Sequence, residues 1–405
     1  MYNNKDYQKY PLSLLGERGF TLPELLVVMA IFIIVIMIAS DCFKTILTRS
    51  SLLSKSAESN IEGIVGLEMF RHDLNQAGFG LPWGFYNATP PTYGEAVDEG
   101  DFEPSLYNDA PNGVPRAVVA GNDVADGGIL DNTDYLALKG TTLSRNNASQ
   151  RWTYVNYSSS GSTKPKIWSS ENLADNDRVI VMRRAFTEAG YVNQLVTTAS
   201  AFYTTYSKNG LGADFSPQVP QDNYYIYGIS SDKDPRMPFN RTDYFVKRPA
   251  GIAAGCAPNT GVLYKEMVNH NGGTMTEIPV LDCVADMQVV FGWDMSDDGV
   301  VDVYSSADGS DVSAGDAAMI ASVKATMADA ALVRSRLKLI KVFLLVQDGR
   351  KDPTFKNTQD IVVGNVGEVS LTNKFDVAEI DFNKWTNYRW KVYRIVVSPK
   401  NLALK

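Results

Sequence analysis

The sequence predicts an α+β protein: one long N-terminal helix followed by an antiparallel, β-rich body. Three observations predict this. Fifteen consecutive apolar residues, Leu25 to Ala39, follow the short stretch Gly19-Phe20-Thr21-Leu22-Pro23-Glu24. Beyond them no proline interrupts the chain until Pro82, and apolar residues recur at helical spacing at Phe43, Ile46, Leu47, Ile61, Ile64, Val65, Met69, Phe70 and Leu74. The remaining chain is rich in aromatics, with 20 Tyr, 17 Phe and 6 Trp among 405 residues, and these favour strands.

Each element follows from local chemistry. Thr21 is placed to cap the helix, with Pro23 and Glu24 in its first turn. Gly78, Gly80 and Pro82 mark its end. About 55 residues lie between, roughly 80 Å at 1.5 Å per residue. The run Phe20–Ala39 is 20 residues, enough for one membrane crossing. Gly63 and Gly66 are expected to weaken the second half of the helix. Residues 81–133, interrupted by six prolines and by Gly127-Gly128, read as a long irregular excursion. Strand-like runs then appear at 134–138, 152–157, 178–182, 224–227 and 242–246. Polar runs at Ser158–Lys166 and Ser305–Gly315 read as loops.

Composition narrows the function. The net charge is −8, and residues 1–19 contribute three cations against two acids, so the chain beyond them sums to −9. A nucleic-acid binder needs clustered Lys and Arg to neutralise phosphates, so this class is disfavoured. Neither His72 nor His270 stands in a metal-ligand spacing, and both read as surface or capping residues. No nucleophile elbow, phosphate loop or dinucleotide fingerprint occurs, so the sequence argues against an enzyme. One acidic stretch stands out, Asp294-Met295-Ser296-Asp297-Asp298-Gly299-Val300-Val301-Asp302. Its side-chain oxygens at Asp294, Ser296, Asp298 and Asp302, with the Val300 carbonyl, fall at the positions of a calcium loop. Ser305 stands where a bidentate Glu would close such a loop. The alternative is a plain acidic hairpin turn that needs no cofactor.

Glu24 is the unusual residue. A carboxylate beside an apolar span is costly and points to function. The alternatives are a secretory signal, whose cleavage site would follow the apolar run, and a plain anchor with an acid at its helix start. The pattern Gly19, Phe20, Glu24 resembles the class III signal of type IV prepilins and of type II secretion pseudopilins, with Pro23 as a variant before the acid. The resemblance implies a leader of residues 1–19, cleavage between Gly19 and Phe20, and N-methylation of Phe20 by a prepilin peptidase. It implies a transmembrane half over 20–39, an outer half of the helix over 40–78, and a body over 79–405. Glu24 would neutralise the new Phe20 amine of a neighbouring subunit during assembly.

A second resemblance lies in the body. The stretch Met69-Phe70-Arg71-His72-Asp73-Leu74-Asn75-Gln76-Ala77-Gly78-Phe79, the run Gly261–Glu266 and the run Val284–Asp294 resemble, in order, segments of the PilW-like minor pilins. Leu337–Gln347 and Tyr388–Val397 resemble the late strands of that family. Lys265 replaces the usual Arg, and the end Ser398-Pro399-Lys400-Asn401 lacks a clear Arg-Asn pair. The implied fold is pilin-like. The implied function is a structural minor pilin that primes and caps the type IV pilus. Its partners would be other minor pilins, the major pilin, the peptidase, the inner-membrane assembly platform and a tip adhesin. Its place would be the inner membrane with the body in the periplasm, then the pilus tip. An oxidising compartment would favour pairing of Cys256 with Cys283, the alternative being two buried free thiols, and Cys42 reads as a small apolar residue on the helix. Two other readings share the signal: a minor pseudopilin of type II secretion, and an adhesin or binding module carried on a pilin anchor within residues 81–222. Exposed aromatics or convergent carboxylates there would favour the latter.

Overall fold

A computed structural model describes residues 21–405 except 87–90, 126, 160–162, 188–189, 314–315, 358–360, 364–373, 376–384 and 403–405. The chain divides into two compact units, Met1–Lys55 and Ser56–Lys405. The first helix, α1, runs Leu22–Gln76. The strands in chain order are β1 Gly84–Phe85, β2 Val118–Val124, β3 Thr133–Gly140, β4 Trp152–Asn156, β5 Arg178–Thr187, β6 Gly190–Leu195, β7 Thr204–Thr205 and β8 Asn223–Ser230. Then follow β9 Asn240–Lys247, β10 Gly261–Val268, β11 Met275–Trp293 and β12 Val303–Ser305. Helices α2 Ala317–Ala328 and α3 Ala330–Arg336 precede β13 Leu337–Asp348, β14 Ile361–Val362, β15 Lys374–Phe375 and β16 Arg389–Val397.

Among the described residues the strands form two large sheets. The main sheet has the order β16-β13-β11-β10-β9-β3-β2, with β12 on β11, and every pairing in it is antiparallel. The second has the order β1-β6-β5-β8-β4, with β7 on β5; only its two-residue β1–β6 pairing is parallel. The α+β expectation therefore holds. Two readings need correction. The excursion 81–133 supplies β2, an edge strand of the main sheet. Two helices, α2 and α3, went unread; Asp316 and Asp329 cap them by accepting amide hydrogen bonds, and Val323 and Val333 seat them in the core.

In the first unit, the segment Leu22–Leu47 is long and apolar enough to cross a membrane. Its large apolar side chains from Leu25 to Ile38 are all between 48% and 64% exposed. In the second unit, the last turns of α1 bury Leu67, Phe70, Leu74 and Ala77 in the main core with Leu263, Leu281 and Met287.

The two helix glycines permit this packing. A Cβ on Gly66 would lie 2.4 Å from the Val280 carbonyl oxygen of β11, and one on Gly63 would lie 3.1 Å from Leu281. In an exposed helix Gly→Ala gains about 1 kcal/mol. Here the sign reverses, because backbone blocks the added methyl. Gly66→Ala is expected to lower stability by roughly 1–3 kcal/mol. A chemical-denaturation midpoint at or above that of the wild type would refute the close packing.

Candidate functional site

The motifs that stand far apart in the sequence meet where the end of α1 docks on the main sheet. Asp73 of α1 is buried and pairs with Lys265 of β10. It also accepts a hydrogen bond of 2.7 Å from the Tyr244 hydroxyl of β9. The Phe70 ring stacks on Tyr244 at 3.9 Å. The lysine that replaces the usual arginine thus makes one short ion pair, and the tyrosine supplies the second donor to the carboxylate. The helix then stops. Gly78 takes a φ of +83°, and its amide donates to the Lys139 carbonyl of β3 at 2.8 Å. Asn401, after the last strand, donates to the free carbonyls of Asn75 at 3.0 Å and Ala77 at 3.4 Å. The C-terminal segment therefore caps the helix, a role the sequence comparison left in doubt.

The run Asp286-Met287-Gln288 also serves packing. Gln288 donates to Asp286 at 3.0 Å and to the Asn132 carbonyl at 3.1 Å. Asp134 accepts from the amides of Val289 and Asp123. Burial pushes the Asp286 carboxyl up to about 7.

A charge cluster on the opposite face of β3 and β9 was not read from the sequence. Glu95, Lys139, Arg241 and Asp243 have fully buried side chains. Glu95 pairs with Lys139 at 2.8 Å and with Arg241 at 3.3 Å. Asp109 takes Lys139 and Arg116, both at 2.6 Å. Arg241 grips Asp243 at 2.7 Å and donates to the Pro104 carbonyl at 2.9 Å. The Tyr135 hydroxyl completes the set by donating to Asp243. Three acids and three cations balance. Residues 95–116 of the excursion are pinned to the sheet by this cluster and by the stack of Tyr107 on Tyr135 at 4.1 Å.

Glu266 of β10 has no such partner. It is buried, its Oε2 lacks a hydrogen bond, and it sits in register between Glu277 of β11 and Asp243 of β9. Lys247, the nearby cation, is paired to Glu277. Burial first, then the Glu277 charge, push the Glu266 carboxyl up to about 8. The folded chain therefore holds a proton that the unfolded chain loses near pH 4.5, and stability falls as pH rises towards 8. Asp286 acts with the same sign up to about 7. His270 accepts the Arg236 amide, and burial holds it down to about 4, so it acts with the opposite sign below 6.5. The clean window lies above pH 6.5. The melting temperature is expected to fall between pH 6.5 and 8.5, and Glu266→Gln should reduce that slope, the remainder coming from Asp286 and from Asp134, which burial also pushes well up. An unchanged slope in the variant would show that Glu266 is ionised in the folded chain.

The residues selected from sequence lie as follows. Glu24 accepts from both the amide of Thr21 at 3.0 Å and its hydroxyl at 2.7 Å, the reach-back of a capping box. Gly19 and Phe20 lie outside the described residues. Cys256 and Cys283 form a disulfide with Cα atoms 5.0 Å apart, and Cys42 is free and exposed. The acidic loop is not arranged as a cation cage. Asp294 accepts the amides of Asp298 and Gly299 and pairs with Lys338 at 3.3 Å. Asp302 accepts those of Met295 and Ser296, and Asp298 that of Val300. The Ser296 and Met295 amides hold the Asp302 carboxyl below its ordinary value. Among the described residues no group of three or more His, Cys, Asp or Glu could hold a metal. Of the five residues of the calcium expectation, Asp294, Ser296, Asp298, Val300 and Asp302, the three aspartates use their carboxylates to accept amides in the turn between β11 and β12.

Comparison with known proteins agrees with this reading. Residues 243–401 match the type IV pilus-assembly protein W family, and residues 15–40 match the prokaryotic N-terminal methylation motif. No curated protein and no solved structure matches the chain. Families of this kind are structural, and the methylation motif together with the apolar helix fits a membrane-anchored pilin. The matched stretch starts in β9 and covers β10, β11, β13 and β16, whose buried ion pair with Asp73 holds the helix end. With the methylation motif at one end and the pilus-assembly W domain at the other, the chain is similar to a PilW-like type IV pilin.

Proposed function

We propose that this chain is a minor pilin that primes assembly of the type IV pilus and stands at its tip. The observation that carries the reading is the bare apolar surface of Leu22–Leu47 in a chain whose second unit has some 350 residues. That surface is stable only against lipid or other apolar helices. A body so large would crowd its neighbours if repeated along a filament, which favours a place at the end. The leader, residues 1–19, would stay on the cytoplasmic side until a prepilin peptidase removes it and methylates Phe20. The anchored chain, its body in the periplasm, would then join other minor pilins, the assembly platform and the major pilin. Glu24, which accepts from Thr21 in the single chain, would exchange that contact for the Phe20 amine of a neighbour. The amine and the carboxylate would otherwise both stand unpaired in an apolar setting.

The expected mature N-terminus is N-methyl-Phe20, read by mass spectrometry of membrane-extracted protein. A terminus at Met1 or beyond Ala39 would defeat the assignment. Glu24→Ala should leave membrane insertion intact and reduce surface piliation at least about tenfold, the equivalent of 1.4 kcal/mol. Full piliation in a strain carrying only this variant would contradict the charge-pairing role.

A further inference from the structure

The second sheet lies wholly outside the stretch that matches the pilus-assembly W family, and one of its faces carries an unusual set of side chains. Strands β4, β8, β5 and β6 are neighbours in that order. On one face the register places Tyr154 opposite Tyr225, Asn223 opposite Arg184, Arg184 opposite Asn193 and Phe186 opposite Tyr191. The rings run on from each other. Trp168 contacts Trp152 at 5.4 Å and Tyr154 at 5.8 Å, and Tyr225 lies 6.3 Å from Trp152 and 6.4 Å from Tyr154. Phe186 and Tyr191 meet at 5.0 Å. The row crosses four strands, about 14 Å at the usual strand spacing.

Cross-strand aromatic pairs stabilise sheets by themselves, so rings alone are not a site. Two features go further. The first is exposure: Trp152 is 39%, Tyr191 54% and Phe186 74% exposed, where a core would bury them. The second is Arg184. Its guanidinium lies 4.9 Å from the Tyr191 ring and 5.9 Å from that of Tyr225, and its Nε is buried with no acceptor. A buried donor left without an acceptor is costly and rare. Its sequence neighbour Arg183 shows the usual outcome, bonded to Asp222 at 2.9 Å and to Gln194 at 3.2 Å. At the foot of the row a cavity of about 230 Å³ opens between residues 78–83 and the sheet, lined by Trp83, Arg184, Tyr191, Asn193, Tyr225 and Asn401.

We propose that this face binds an acidic saccharide, with Arg184 taking the sugar carboxylate and the rings of Tyr191, Tyr225, Trp152 and Trp168 taking the faces of successive pyranose units. The chemistry fits part by part. The slightly positive C–H face of a pyranose packs on the negative face of an aromatic ring. Asn193 and Asn401 can bond hydroxyls at the ring edge. A guanidinium held flat between two tyrosines presents its fork to a carboxylate. Nucleic acid fits less well, because it needs several phosphates neutralised and this face offers one unengaged guanidinium on a chain of net charge −8.

The test uses the full chain in a detergent without a sugar headgroup, titrated by calorimetry and tryptophan fluorescence. The probes are trigalacturonate, a hyaluronate tetrasaccharide and sialyllactose, each beside a neutral or methyl-esterified counterpart, with a single-stranded oligodeoxynucleotide and an acidic peptide as further arms. At least one acidic sugar should saturate the protein at millimolar concentration or below. It should bind at least about tenfold more tightly than its neutral counterpart, the worth of a charge-assisted bond. Arg184→Met, which keeps the packing on both tyrosines, should erase that preference, so that the acidic sugar and its neutral counterpart bind alike. Trp152→Leu should weaken acidic and neutral sugars alike, and both variants should melt near the wild-type temperature. Saturation by none of the three acidic sugars, equal binding of acid and ester, or wild-type preference in Arg184→Met would each overturn the proposal. So would an Arg184-dependent preference for the oligonucleotide or the peptide over every sugar.

Discussion

Arg241→Met is expected to lower the melting temperature by about 10 °C, the consequence of losing roughly 3–5 kcal/mol when one partner of a buried ion pair is removed. The side chain is fully buried and holds four acceptors from two parts of the chain: Asp243 on its own strand, and Glu95, Asn108 and Pro104 from the excursion. Methionine fills much of the same volume, so the loss would come from charge and not from a void. Glu95 would keep Lys139, but Lys139 is already shared with Asp109. Asp243 would keep only the Tyr135 hydroxyl among its charged and polar contacts in this cluster. The pair Arg241→Met and Asp243→Asn should therefore recover part of the loss, because the second change removes the stranded charge. A local readout separates this mechanism from general destabilisation. Residues 95–116 are held by this cluster, so limited proteolysis should cut there earlier in the variant than elsewhere. A shift of less than about 1 kcal/mol would mean that water reaches the cluster and screens it.

That cluster also shows where sequence reading stops. Periodicity located α1 to within a residue or two at each end, because its signals are local: Thr21 and Glu24 at the start, Gly78 at the stop. Of the main sheet, β3 and β9 were legible as strand-like runs, β10, β11, β13 and β16 through the family resemblance, and β2 was hidden among the prolines of the excursion. The pairings of Glu95 with Lys139 and with Arg241 were not, because they span 44 and 146 positions and carry no spacing signal. The same holds for Asp73 and Lys265, separated by 192 residues. Their family motifs could be seen singly, but only the fold shows that they are one ion pair. Gly66 was misread for a related reason. Helix propensity treats glycine as a defect, whereas here it is the residue that lets Val280 approach. The acidic loop is a further case where spacing and geometry carry different information. Its spacing was compatible with a cation, and the geometry turned its oxygens towards backbone amides and Lys338.

Removing the disulfide by the double change Cys256→Ser and Cys283→Ser is expected to cost about 3–4 kcal/mol, from the loss of a 27-residue covalent loop that restricts the unfolded chain. The bond also has a local task. Cys283 sits at a φ of +54°, a conformation that residues with a Cβ rarely adopt. It falls where the β10–β11 register slips, between the pairs Leu263–Leu281 and Gly261–Val284. On the other side, Cys256 belongs to the loop before β10, which Gln347 of β13 holds through the Ala257 amide at 2.6 Å and the Gly255 carbonyl at 2.8 Å. Cross-link and glutamine together fix that loop over the centre of the main sheet, close to the strand that carries Lys265. Without the bond, Gln347 alone would hold it. The expected result is a lower denaturant midpoint with an unchanged slope, since the buried surface stays the same. Reductant should produce the same loss in the wild type and none in the double variant, which isolates this bond from the free Cys42. Alkylation of both Cys256 and Cys283 in folded, air-oxidised protein would show that they are not joined, and a reductant effect that persists in the double variant would assign the stabilisation elsewhere.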